Sequence, residues 1–236
     1  MKKFLVSIIL MSLSSLVFSA DFKECLQMFA NGKPPTWSDP AMKPRALCYS
    51  AFAVMHSGTS KTPVYVAERL NRASVSPEIE RGTHFFADAR LPRAERAELT
   101  DYANSGFDRG HMAPAGDMPD QESMTQCFTL ANMVPQAPVN NRKTWSGIER
   151  ATRNYAKRAA GDIFVITGPV FTRPAPTIGS GKVWVPSALF KLVYDPATRK
   201  SWAYWVENKN EAKADKPISY EELRQRTGVD FMPGTR

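Results

Sequence analysis

The order of its periodic segments constrains this chain more than any other feature. Strand-like and helix-like stretches are mixed without a regular strand–helix–strand alternation. That order argues against a doubly wound parallel sheet and points to a single α+β domain. Residues 48–57 (CYSAFAVMHS) and 63–70 (PVYVAERL) read as two strands joined by a hairpin around Gly58. Residues 92–104 read as a helix opened by Pro92, residues 105–120 as an irregular Gly- and Pro-rich stretch, and residues 126–134 as extended. The longest helical signal is 141–160, with Asn140 or Asn141 as its cap and Gly161 as its stop. Residues 162–170 are apolar and β-branched, hence a strand. Residues 183–194 and 200–206 form another strand pair about a turn at Asp195-Pro196. Residues 207–217 read as a polar surface loop and 219–227 as a short terminal helix. No internal repeat and no long linker interrupts the 236 residues.

The N-terminus reads as an export signal. Lys2 and Lys3 precede an apolar, Ser-containing stretch from Phe4 to Phe18 that is short for a membrane span, and small residues follow at Ser19 and Ala20. Cleavage after 19 or 20 is expected, which makes the mature protein periplasmic or extracellular. Loss of the two lysines lowers the formal charge from +8 to +6, a bias compatible with a polyanionic partner. Residues 21–47, broken by Pro34, Pro35, Pro40 and Pro44, read as an irregular arm ahead of the domain at 48–236. Export permits a disulfide. Cys25 and Cys48 lie near the mature N-terminus and are expected to pair, stapling the arm to the domain. Cys127, beside Phe128 and Leu130, is then a buried unpaired thiol.

Only three histidines are available as a base or metal ligand. His56 falls in the first hairpin and His84 beside Phe85 and Phe86, where packing roles suffice. His111 sits in Asp108-Arg109-Gly110-His111-Met112-Ala113-Pro114, which holds an acid, a cation and an imidazole together. A second cluster runs through Asn132, Pro135-Gln136, Asn141, Trp145, Glu149 and Arg153. The last four are spaced by four, so on a helix each is displaced from the one before by only about 40°. Taken alone, these four also suit a capping Asn, a core Trp and a solvated Glu–Arg pair.

Together the two clusters resemble the DNA/RNA non-specific endonucleases, the ββα-metal nucleases that include mitochondrial endonuclease G. The first cluster matches that family's D-R-G-H motif with its apolar-and-Pro extension. The second matches its Asn, Pro-Gln and Asn-opened helix with a Trp and a Glu. Arg81 with Phe85 or Phe86 and Asp88 resembles an upstream Arg–aromatic–Asp segment. The likeness runs from about residue 48 to about residue 205. It implies a mixed or antiparallel central sheet flanked by helices, and a single Mg²⁺, for which Mn²⁺ is a substitute. It implies hydrolysis of DNA and RNA phosphodiesters with His111 as general base. Asn141 is implied as the direct metal ligand. Glu149, about 12 Å along the helix, acts through a metal-bound water. Arg81 and Arg109 are candidates to clamp phosphate oxygens, and Arg109 equally to pair with Asp108. Arg153 is a candidate to contact the substrate backbone or support Glu149, and Asn132 to contact substrate or to orient its loop or a metal water. A site built on phosphate, metal and arginine reads the backbone and not the bases. The partners implied are DNA, RNA and, for a nuclease that endangers its maker, an inhibitor protein.

Rival motifs fail. Gly179-Ser-Gly-Lys182 lacks the first glycine and the Ser/Thr of a phosphate loop, and reads as a turn. No serine elbow and no zinc-binding spacing occurs. Two alternatives remain: a non-catalytic nucleic-acid-binding protein on a nuclease fold, and a phosphodiesterase for a small substrate. The intact His111, Asn141 and Glu149 weigh against the first, since binding alone needs no base.

Overall fold

The computed structural model describes residues 21–235, apart from Ser38; the signal-peptide reading of residues 1–20 lies outside them. In chain order the strands and helices are β1 (Pro44–Cys48), β2 (Phe52–Ser57), β3 (Thr62–Leu70), α1 (Leu99–Tyr102), β4 (Asp108–His111), α2 (Gln121–Cys127), β5 (Met133–Gln136), α3 (Ser146–Ala156), β6 (Ile163–Val170), β7 (Thr177–Ile178), β8 (Val183–Trp184), β9 (Ala188–Asp195), β10 (Lys200–Glu207) and α4 (Tyr220–Thr227). Six of the strands form one antiparallel sheet in the order β1-β2-β3-β6-β9-β10. The α+β reading therefore holds.

The sheet is covered on both faces, which explains why β2 is buried at all six positions. Alternate side chains point to opposite faces of a strand. Phe52 and Val54 of β2 pack with Met112, Met124, Trp145 and Leu189, in the layer that carries the candidate site. Ala53 and Met55 pack with Phe22, Phe29, Tyr65, Phe190 and Phe231, beneath the N-terminal arm and α4. The arm thus supplies Phe22, Cys25, Met28 and Phe29 to one core and is not a loose appendage. Its last residues belong to β1, so the expected boundary at 48 moves back to 44. Cys25 and Cys48 are bonded, tying the arm to the edge strand, and Cys127 is buried and free.

Several expected elements differ. The stretch 105–120, read as irregular, contains β4, and the strand expected over 48–57 is β2 at Phe52–Ser57. The strand expected over 183–194 is split into β8 and β9, and three further segments change. The helix over 92–104 is replaced by a 3-10 turn at Arg93–Glu95 and the short α1. Pro92 starts the turn, and a capping box between Glu98 and Asp101 restarts the chain as a helix. The extended segment over 126–134 is instead the end of α2, a 3-10 turn at Leu130–Asn132 and then β5. Asp120 caps α2 by accepting from Ser123 N at 2.7 Å. The helix over 141–160 begins earlier, at Pro138, and ends at Ala156. Neither Asn140 nor Asn141 is its cap: both lie inside a π-helical turn at Asn140–Trp145. The expected surface loop 207–217 fixes this helix start. Asn208 Oδ1 accepts from Ala137 N at 2.8 Å, Asn210 Oδ1 accepts from Val139 N at 2.9 Å, and Glu207 O accepts from Asn140 Nδ2 at 2.8 Å.

Candidate active site

β4 and β5 pair antiparallel, with Asp108 opposite Gln136 and His111 opposite Met133, and the chain then enters the helix that becomes α3. This two-strand, one-helix unit brings both sequence clusters together. Gly110 is required within it, because a Cβ there would lie 2.1 Å from Gln136 Oε1 and 2.6 Å from Gln136 Cβ. A cleft of about 840 Å³ opens over the unit and is lined by Arg81, Arg109, His111, Asn141, Glu149 and Arg153 together. Its rim continues through Leu99, Tyr102 and Phe107.

His111 is 7% exposed and is packed between two aromatic rings. Its ring meets Phe128 edge-on at 5.0 Å and Phe85 at 5.8 Å. The same two rings carry the arginines, with Arg109 Cζ 4.1 Å above Phe85 and Arg81 Cζ 5.5 Å from Phe128. Nε2 of His111 is buried without a partner, so Nδ1 is the nitrogen left to face the cleft. Burial, with Arg81 adding to it, pushes the imidazole pKa down to about 3. The ring is therefore neutral across ordinary working pH, as a base must be at the outset.

Asn141 Nδ2 donates to Asp108 Oδ2 at 2.9 Å, which turns the amide so that its oxygen is the free atom. Asp108 also accepts from Arg142 Nε and Nη2 at 2.8 and 2.6 Å. Burial pulls the Asp108 carboxyl pKa up, but the bonds from Arg142 and Asn141 outweigh that pull and hold it below the usual value. Asp108 is thus a support for Asn141, and its ion-pair partner is Arg142, not Arg109. Glu149 is partly buried, and withdrawal from water raises its pKa to about 7 against the opposing pull of Lys191. The wider π turn that carries Asn141 has i→i+5 bonds, and such turns are frequent at functional sites.

Two expectations for the site are corrected. Asn132 is fully buried and does not line the cleft. Its Oδ1 accepts from Ala113 N at 2.8 Å, and its Nδ2 donates to Ala113 O and Cys127 O at 2.9 Å each. Its side-chain polar atoms are spent on holding the loop after His111, so of its expected roles it fills the loop-orienting one and not substrate contact. Arg153 does line the cleft, but its ion-pair partner is Asp117, through Nη1 to Oδ1 at 2.9 Å, and not Glu149. Trp145 is a core residue, 0% exposed.

A charged pair that neither sequence motif contains lies in the buried layer below the site. Lys191 and Glu68 are both 0% exposed and 3.9 Å apart, and Lys191 Nζ donates to Thr167 Oγ1 at 2.7 Å. Burial and the nearby Asp117 hold Glu68 well above the ordinary carboxylate pKa, with Lys191 opposing them. One signal is visible: Lys191 is a lone charge inside the apolar LFKLVY, and Glu68 follows the apolar run VYVA with Arg69 beside it. Phe128 was read only as a neighbour of Cys127. Its part in the site follows from the turn after α2, which the sequence had given as extended.

A cleft walled by a neutral imidazole, four arginines, a free amide oxygen and a partly buried carboxylate defines a class of enzyme as well as a fold. The model of the DNA/RNA non-specific endonuclease family matches residues 38–236, and the chain belongs to that family of metal-dependent phosphodiester hydrolases. It is 32% identical over 185 residues to Nuclease C1 of Cunninghamella echinulata var. echinulata, spanning 71% of this chain and 72% of that one. It is 30% identical over 219 residues to the mitochondrial nuclease EXOG of Homo sapiens, spanning 82% of this chain but only 58% of the human protein. The structure of an EndoG/EndoGI complex, solved for the mechanism of EndoG inhibition, matches with a TM-score of 0.70 at 25% identity, covering 79% of this chain and 84% of that one. The six-stranded sheet with its ββα unit is the fold expected from the resemblance.

Proposed function

We propose that this chain is an exported, sugar-non-specific endonuclease that hydrolyses DNA and RNA, with His111 as general base and one Mg²⁺. The observation that carries the reading is the convergence of Arg81, Arg109, His111, Asn141, Glu149 and Arg153 on a single cleft. The residues fit a hard, hydrated dication. Asn141 offers a free amide oxygen and Glu149 a nearby carboxylate, and among the described residues no group of three or more His, Cys, Asp or Glu forms a cage. Magnesium takes one or two protein oxygens and keeps most of its waters. Asn141 is then the direct ligand and Glu149 acts through water, with Mn²⁺ as a substitute. The ion, when bound, stabilises charge on the phosphate and the leaving oxygen.

His111 accepts a proton at Nδ1 from the attacking water. A bound phosphate offsets the field of Arg81, which strengthens the imidazole as a base. Arg81, Arg109 and Arg153 hold phosphate oxygens, and their fork-shaped donors suit that task. Phe85 and Phe128 keep two of those arginines and His111 in one rigid arrangement. Since these contacts address phosphate alone, base sequence and sugar type go unread. Export is supported by the N-terminal pattern and by the Cys25–Cys48 bond, which an oxidising compartment favours. An inhibitor protein remains a fitting partner, in line with the EndoG/EndoGI complex.

The test is digestion of plasmid DNA and total RNA by mature protein, with Mg²⁺ and with excess EDTA. Cutting of both polymers that stops in EDTA supports the reading. Gel retardation without cutting in Mg²⁺ would replace it with the binding-only alternative.

A further inference from the structure

Arg153 differs from the other basic residues on its helix in how it is held. Arg150 and Lys157 are exposed, and the exposed Arg142 pairs with Asp108 at the rim. Arg153 instead donates to Asp117, whose side chain is 1% exposed, from a guanidinium that is itself largely withdrawn from water. Asp117 ends a 3-10 turn, Ala115–Asp117, whose first backbone bond runs from Asp117 N to Pro114 O at 3.0 Å. That turn follows His111 within a few residues. The bond therefore ties the helix that carries Glu149 to the loop that follows the base. Gly116 completes the seat: a Cβ there would fall 2.8 Å from Arg153 Cζ and 2.9 Å from Nη1, so the guanidinium rests where any larger residue would stand.

We infer that Asp117 and Gly116 are positioning residues that fix Arg153 as a preformed phosphate clamp in the cleft. The inference rests on the nuclease reading above, because it takes phosphate as the ligand. A long side chain left free must be ordered when substrate binds, and that ordering weakens binding. Arg153 is already ordered, so its contact with phosphate is made without that loss. Arg142 is anchored too, but to Asp108 at the exposed rim, whereas Arg150 and Lys157 project into solvent and act through their charge.

Asp117→Asn keeps an acceptor but removes its charge, and Gly116→Ala displaces the guanidinium without touching Asp117. Each is expected to raise KM for plasmid DNA by about 2- to 10-fold, the range set by ordering one such side chain. In each, kcat should fall by less than KM rises. Kd for a fluorescent oligonucleotide, measured by anisotropy in EDTA, should rise by the same factor. Added to Arg153→Ala, Asp117→Asn should change neither constant further, a non-additivity that a merely structural residue would not show. Wild-type KM and Kd in both single variants, or a full further loss in the Arg153→Ala background, overturns the inference. Wild-type protein that binds the oligonucleotide, with Kd raised in the variants, but never cuts overturns the endonuclease reading and leaves the clamp standing. Wild-type protein that does not bind the oligonucleotide overturns both.

Discussion

Replacing Glu149 by Gln should stabilise the metal-free protein at alkaline pH while abolishing its metal-dependent activity. The carboxyl has a folded-state pKa of about 7 against an ordinary 4.5, raised chiefly by burial. A group raised in this way adds stability that is fully present below 4.5 and is lost as pH rises through 7. Glutamine stays neutral throughout, so the variant keeps what the wild type loses. At about 1.4 kcal/mol per pKa unit the ceiling is roughly 3 kcal/mol. The side chain reaches the water-filled cleft, and screening there reduces this to about 1–2 kcal/mol. For a chain of this size that is a rise in Tm of about 2–8 °C. Thermal melts of both proteins in EDTA should coincide near pH 4.5 and separate by that amount at pH 8, and saturating Mg²⁺ should narrow the gap by favouring the wild type. A Glu149→Gln protein that melts at or below the wild type at pH 8 would refute the claim that this carboxylate is held ionised at a cost in the absence of metal.

Phe85→Leu removes the ring under Arg109 and should lower kcat/KM by about 3- to 10-fold, measured on plasmid DNA, with Arg109 itself intact. Asn132→Ala leaves buried backbone groups of Ala113 and Cys127 without partners, so a melt should show a loss of about 2–3 kcal/mol, roughly 4–12 °C in Tm. Opening Cys25–Cys48, which are 23 residues apart, should destabilise by about 3 kcal/mol on the loop-entropy account, while assays well below the new Tm keep wild-type kcat because the bond lies away from the cleft.

What the sequence made legible is what is encoded locally. β6, β10 and α4 lie within a residue of their expected bounds, because their apolar runs are flanked by Gly, Asp-Pro or polar turns, whereas β9 ends within a residue of its expected bound but begins at Ala188. The site residues were legible as two ordered motifs, and the structure places all but Asn132 on one cleft. The failures share a cause. The helix over 92–104 has helix-forming composition but no continuous apolar stripe, so the capping box at Glu98 decided where it started. The π turn at Asn141 depends on contacts with Asn208 and Asn210, some seventy residues away. The four-residue spacing of Glu149 and Arg153 also suits a helical ion pair between them. The actual partner of Arg153 is thirty-six residues distant and invisible to helical spacing. Glu68 and Lys191 find each other only across the folded sheet.

The account stands on His111 as the base that activates water. The direct measurement is single-turnover cleavage of plasmid DNA in Mg²⁺ by wild type and His111→Ala, with oligonucleotide Kd measured on the same preparations. Loss of a general base should slow cleavage by about 10²- to 10⁴-fold while Kd stays within about threefold. Cleavage by His111→Ala at the wild-type rate would contradict the mechanism, and equal losses in Kd and rate would make His111 a binding residue instead.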